Sequence, residues 1–226
     1  MVSGNDPLNT FVLHTRRYGD SSLITDLFTR EQGRLAAVAK GALRARVERI
    51  QPFQAYVAEL RGRGEVLTLA KVEASAQPLA LKGRTLYCGL YLNELLLKLT
   101  ARQDACAALF DDYAAALSAL NVDPDVEPIL RRFEVRLLNH LGMGLILDSD
   151  VNGQSIESDQ RYTYDVGQGP LPALRSVDLV SGATLIALRE DAALTADTIP
   201  EARRLMRQVL NHHLDGRPLR SRELFR

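Results

Sequence analysis

Polar and apolar positions alternate with a period of two over roughly the first third of the chain. Phe11, Leu13 and Thr15 alternate with Val12, His14 and Arg16, and residues 22–28 are rich in β-formers. Tyr18-Gly19-Asp20-Ser21 between them reads as a turn. Glu31-Gln32-Gly33 marks a second turn before a short strand of small residues over 34–40. Residues 53–60 and 66–72 form a further pair around Arg61-Gly62-Arg63-Gly64, a hairpin with two glycines. Five short strands with no crossover helix predict a small closed barrel of the oligonucleotide-binding (OB) type, a pattern that an SH3-like barrel shares. After Pro78 the period becomes helical. Residues 84–100 are apolar nearly all round and predict a buried helix, and 104–120 an alanine-rich one. From Val126 onward Ile129, Leu130, Phe133, Leu137, Leu138 and Leu141 make an amphipathic stripe that Gly142 ends. Residues 145–182 read as an irregular insert with a short hairpin around Tyr162 and Tyr164. A short helix over 183–188 and a last one from Pro200 to about His213, capped by Thr198, complete the pattern. The fold class expected is therefore α+β: an N-terminal five-stranded barrel, of the OB or SH3-like type, over 1–78, then an α-helical domain over 79–226 with its insert at about 142–182.

Charge changes this picture. The 226 residues carry 28 basic and 28 acidic side chains, yet the two signs are segregated. Residues 30–49 hold six basic groups (Arg30, Arg34, Lys40, Arg44, Arg46, Arg49) against two acids, and 201–226 hold seven arginines against three. Residues 103–165 hold twelve acids against four arginines. Basic ends around an acidic middle point to nucleic acid or an acidic peptide as partner. There is no run of eighteen apolar residues and no secretory pattern at the N-terminus, so a cytoplasmic protein without a membrane partner is expected, with Cys88 and Cys106 reduced.

Several chemistries have no support. The chain lacks a G-x-x-x-x-G-K-[ST] loop, a third glycine after Gly62-Arg-Gly64, an H-E-x-x-H helix, a C-x-x-C pair and a G-x-S-x-G elbow. His212 and His213 near a helix C-terminus read as a dipole interaction. No catalytic residue, cofactor or metal is expected, and the balance moves towards binding.

Three basic groups are candidates. Arg34, Lys40, Arg44, Arg46 and Arg49 lie on and around the loop joining the third and fourth strands, where a backbone-tracking loop works with barrel aromatics that stack bases; Tyr18, Phe28, Phe53 and Tyr56 are the rings available. Neutralising about five phosphates of a single strand gives a slope of log K against log salt of roughly −3.5. Arg132 and Arg136, four apart on the stripe helix beside Arg131, could form a pocket for an acidic peptide, although Glu127 offers Arg131 an ordinary i,i+4 partner. Arg203, Arg204 and Arg207 on the last helix could add a secondary DNA contact.

In order along the chain, Phe11-Val-Leu-His-Thr-Arg16, Gly33-Arg34, Ala39-Lys40-Gly41-Ala42, Gln51-Pro52-Phe53 and Arg61-Gly62-Arg63-Gly64-Glu65 resemble the bacterial recombination mediator family RecO. So do Leu86-Tyr87, Gly89-Leu90-Tyr91, Asn93-Glu94-Leu95-Leu96, Leu130-Arg131-Arg132-Phe133-Glu134, Leu141-Gly142 and residues 218–225. The resemblance implies an OB-fold domain and a helical domain, binding of single- and double-stranded DNA without sequence specificity, and annealing of complementary strands. It also implies docking of the acidic C-terminal tail of single-stranded-DNA-binding protein, and work with RecR to load RecA, at the nucleoid. On that basis Lys40 and the following arginines become DNA contacts, and Arg131 and Arg132 match the helical Arg-Arg beside which the tail docks. Many members carry a four-cysteine zinc module in the insert, but residues 142–182 contain neither Cys nor His, so this insert is a remnant of that module. The expected function is a non-enzymatic mediator of recombinational repair. The alternative is a protein-interaction adaptor without significant DNA affinity. A hydrolase or nuclease would need a carboxylate cluster in the barrel, which the sequence does not suggest.

Overall fold

The computed structural model describes residues 6–43, 50–173 and 179–225. The chain forms two compact units, one running to Val122 and regaining the chain at Leu219, the other spanning residues 123–218.

The first unit opens with β1 (Leu8–Tyr18), β2 (Ser22–Thr29), β3 (Gly33–Ala39), β4 (Ala55–Arg61) and β5 (Val66–Ala74). They close in the order β1-β2-β3-β5-β4, with β1 pairing both β2 and β4, and β3 lying parallel to β5. The expected OB-type barrel is thus present. Alternation along the strands sends Leu8, Val12, Leu27, Leu35, Ala37, Tyr56 and Leu60 into one core. Gly33 ends the β2–β3 turn at φ +68°, and a Cβ there would collide with the Asp104 carbonyl, so only glycine fits.

Four consecutive residues of β1, Thr10 to Leu13, are buried, which a strand with one solvated face does not allow. The cover comes from two helices of the same unit, α1 (Gly83–Leu99) and α2 (Ala107–Val122). Phe110 and Tyr113 of α2 pack on Phe11 and Phe28 with ring centroids 5.2–5.9 Å apart. A β-bulge between Val12 and His14 turns the Leu13 carbonyl outward, where Asn93 Nδ2 donates to it at 2.9 Å. Tyr113 then donates to Asn93 Oδ1 at 2.6 Å, so the buried amide is held from two sides.

The chain end returns to this unit as a 3-10 helix, Arg220–Phe225. Glu94 of α1 accepts hydrogen bonds from the Arg220 and Ser221 amides (3.0 and 2.8 Å) and the Ser221 hydroxyl (2.6 Å), and Lys98 adds an ion pair at 3.1 Å. Burial works against this carboxylate, but those donors hold it below its usual range.

The second unit contains α3 (Val126–His140), a small sheet of β6 (Arg161–Asp165), β7 (Gly169–Pro172) and β8 (Val180–Ser181) in the order β7-β6-β8, then α4 (Gly182–Arg189) and α5 (Thr198–His213). The hairpin expected around Tyr162 and Tyr164 is β6–β7, and the insert is more regular than its composition suggested. Its tyrosines point inward and their hydroxyls accept from the Glu157 and Ile146 amides. Ser181 caps α4 by accepting from the Thr184 amide at 3.2 Å. Glu201 of α5 in turn accepts from the Ser181 amide and hydroxyl, the Thr184 hydroxyl and Arg161. Against the cost of burial, these donors depress its pKa to about 2. Thr198 begins α5 rather than capping it, and Asp197 precedes it.

Candidate nucleic-acid and acidic-peptide sites

Lys40 stands exposed immediately after β3, at the head of the expected DNA-binding loop, while Arg44, Arg46 and Arg49 lie outside the described residues. Arg34 is differently placed. Its Nη2 donates to the Thr100 carbonyl at 2.9 Å, and the Arg34 carbonyl accepts from the Gln103 amide at 3.0 Å. Burial and the neighbouring Arg102 both lower its pKa, as expected for a cation confined in a crowded, half-buried place. This arginine ties β3 to the segment after α1, and it is not carried into the proposed interface.

The rings expected to stack bases need correction as well. Phe28, Phe53 and Tyr56 are only 1, 6 and 2% exposed, because the barrel core and its helical cover enclose them. Tyr18 alone of the four is open, at 56%.

On α3 the two adjacent arginines point to different environments. Arg131 and Glu134 lie three residues apart on the buried side and pair at 2.7 Å with side chains 7 and 0% exposed. Glu127, the partner expected for Arg131, instead faces Arg203 of α5 at 3.6 Å. Arg132 and Arg136 project outward and converge on one carboxylate: Arg132 Nε donates to Asp191 Oδ1 at 2.6 Å and Arg136 Nη2 to Oδ2 at 2.8 Å. Asp191 follows α4 with φ +51°, an αL conformation that Asp tolerates better than most side chains. Partial burial works against its charge, yet the two guanidiniums hold its pKa below the usual carboxylate range. Nothing in sequence spacing connects Asp191 to residues 59 and 55 positions earlier, so this partner was missed.

Arg131, Arg132 and Arg136 all line one cleft of about 270 Å³, with Pro128 and Val135 of α3, Leu188 of α4 and the following Ala192 to Leu194. Apolar walls with two outward guanidiniums at the rim suit a short peptide bearing both an apolar side chain and a carboxylate. Arg131 contributes to this wall, but its guanidinium is engaged by Glu134. On α5, Arg203 and Arg204 are exposed beside their contacts with Glu127 and the Leu179 carbonyl, and Arg207 is exposed one turn further on.

The insert does not fit the four-cysteine zinc module that the resemblance implies for many members. It offers no thiolate or imidazole, and among the described residues no group of three His, Cys, Asp or Glu could hold a metal. Two of its turns are closed by carboxylates instead: Asp150 accepts from the Asn152 and Gln154 amides, and Asp165 from those of Gly167 and Gln168. No helix among the described residues is long and apolar enough to cross a membrane.

Residues 8–78 match the family described as Recombination protein O N terminal, and residues 81–223 match Recombination protein O C terminal. The chain is 42% identical over 222 residues to the DNA repair protein RecO of Methylococcus capsulatus, covering 96% of this chain and 92% of that one. It is 45% identical over 217 residues to the DNA repair protein RecO of Stutzerimonas stutzeri, covering 95 and 91%. With the corresponding protein of Halorhodospira halophila it shares 43% identity over 232 residues, covering 100 and 98%. Similarity of this depth over both halves, on an OB-type barrel followed by helices, shows that the chain belongs to the RecO family and acts in recombinational DNA repair.

Proposed function

We propose that this chain is a non-enzymatic recombination mediator that holds single- and double-stranded DNA through the backbone, without reading sequence. It anneals complementary strands, docks the acidic C-terminal tail of single-stranded-DNA-binding protein, and works with RecR to load RecA. The observation that carries the docking half is the convergence of Arg132 and Arg136 on one exposed carboxylate at the rim of an apolar-walled cleft. Asp191 occupies there the position that a carboxylate of the tail would take. Asp191 and both arginines are exposed, so an incoming carboxylate can compete with Asp191 for the two guanidiniums.

For DNA, Lys40 and the arginines at 44, 46 and 49 form the interface, with Arg203, Arg204 and Arg207 as a secondary contact. Neutralising phosphates lowers the repulsion between two strands, which is sufficient for annealing without a nucleotide cofactor. With Arg34 withdrawn, four cations remain in the first group. Changing Lys40, Arg44, Arg46 and Arg49 together to Ala should flatten the salt dependence of single-strand binding by roughly 2.8 units of slope, read by fluorescence anisotropy across a salt series. Unchanged slopes would move the DNA interface elsewhere on the chain. A wild-type chain with no salt-dependent affinity would leave the adaptor reading in its place.

A further inference from the structure

The β1–β2 hairpin extends beyond the closed barrel. β4 pairs with β1 only over Leu8 to Phe11, and β3 accompanies β2 only as far as the Leu23–Ala39 pair. The last rung, Tyr18 opposite Ser22, has no third strand beside it. Alternation gives the same result. Arg17, opposite Leu23, has the register of an inward position, yet it is exposed because the barrel core has already ended. Arg16 and Tyr18 share the other face, both exposed, and the turn between the strands carries Gly19 at φ +60° and one acid, Asp20. The segment after β3 runs alongside, since the Leu43 amide donates to the Ser21 carbonyl at 3.0 Å, which brings Lys40 to the same end. Arg16, Arg17 and Lys40 are in no ion pair among the described residues.

We propose that this projecting hairpin is a single-strand-selective element, in which Tyr18 stacks on an unpaired base while Arg16, Arg17 and Lys40 hold the flanking phosphates. The inference rests on the DNA-binding reading above and adds to it the selection of unpaired strands. Three cations in no ion pair among the described residues complement a phosphate backbone, and they alone would accept duplex and single strand alike. The ring makes the difference. Bases within a duplex cover one another's faces, so a solvent-exposed aromatic at a protruding tip finds a free π-face only on an unpaired base. Tyr18 is the barrel ring left open for this, and the polar tip of a tyrosine tolerates the solvated position.

The test uses the full chain and three labelled probes of equal length: an oligothymidylate, an abasic strand with the same phosphates, and a duplex. Tyr18→Ala should weaken the oligothymidylate by roughly five- to 150-fold and leave the abasic strand and the duplex unchanged. Tyr18→Phe should retain wild-type affinity for all three. Arg16→Ala with Arg17→Ala should flatten the single-strand salt slope by about 1.4 units. If Tyr18→Ala binds the oligothymidylate like wild type, or loses the abasic strand equally, the stacking proposal is overturned while DNA binding stands. If the wild-type chain binds none of the probes, the DNA-binding reading falls and takes this one with it.

Discussion

Glu134→Ala should destabilise the second compact unit by about 3–5 kcal/mol, the scale observed when one partner of a buried ion pair is removed. Glu134 is fully buried and Arg131 nearly so, their closest atoms 2.7 Å apart. Deleting the carboxylate leaves a nearly buried guanidinium with its charge uncompensated. The comparison that isolates the cause is the double change Arg131→Met with Glu134→Leu. It removes both charges at similar volume and should cost far less, or nothing. Urea unfolding followed by circular dichroism reads both. A Glu134→Ala chain as stable as wild type would mean that the pair is solvated, and would return Arg131 to the set available for a ligand.

The second large effect is expected at the cleft rim. Arg132→Ala and Arg136→Ala should each weaken binding of an acidic tail peptide by about 1.5–3 kcal/mol, the value of a hydrogen bond to a charged group. The double change Arg131→Met with Glu134→Leu should affect that binding far less, because the Arg131 guanidinium serves Glu134. Arg132→Lys keeps the charge but loses the planar fork, so it should fall between wild type and Ala. Isothermal titration with the peptide gives each number directly. Equal affinities across the series would remove the cleft from the docking account.

The adjacent arginines also mark where the sequence stopped being informative. The stripe of Leu130, Phe133, Leu137 and Leu138 was visible, and so was the glycine that ends it. The period cannot say how wide the buried face becomes once α4 and α5 pack against α3, and that width decides that Arg131 goes inside while Arg132 stays out. The barrel aromatics behaved in the same way. Alternation located the strands, but the burial of Phe11 and Phe28 depends on Phe110 and Tyr113, about eighty to a hundred residues later in the chain. The change of period near residue 78 likewise marks a change of secondary structure, whereas the first compact unit includes α1, α2 and the returning 3-10 helix. A signal for the hairpin is Arg17, which takes an inward register on the stretch of β1 beyond the bulge. A charge at such a position indicates that the strand has outrun its core.

The most direct test of the central claim is annealing of two complementary oligonucleotides, one labelled with a donor and the other with an acceptor dye, bare or coated with single-stranded-DNA-binding protein. The wild-type chain should anneal both without a nucleotide cofactor. The Arg132→Ala, Arg136→Ala chain should anneal bare strands normally and stall on coated ones. A wild-type chain that leaves bare strands unannealed at low salt would contradict the role of a mediator that anneals DNA.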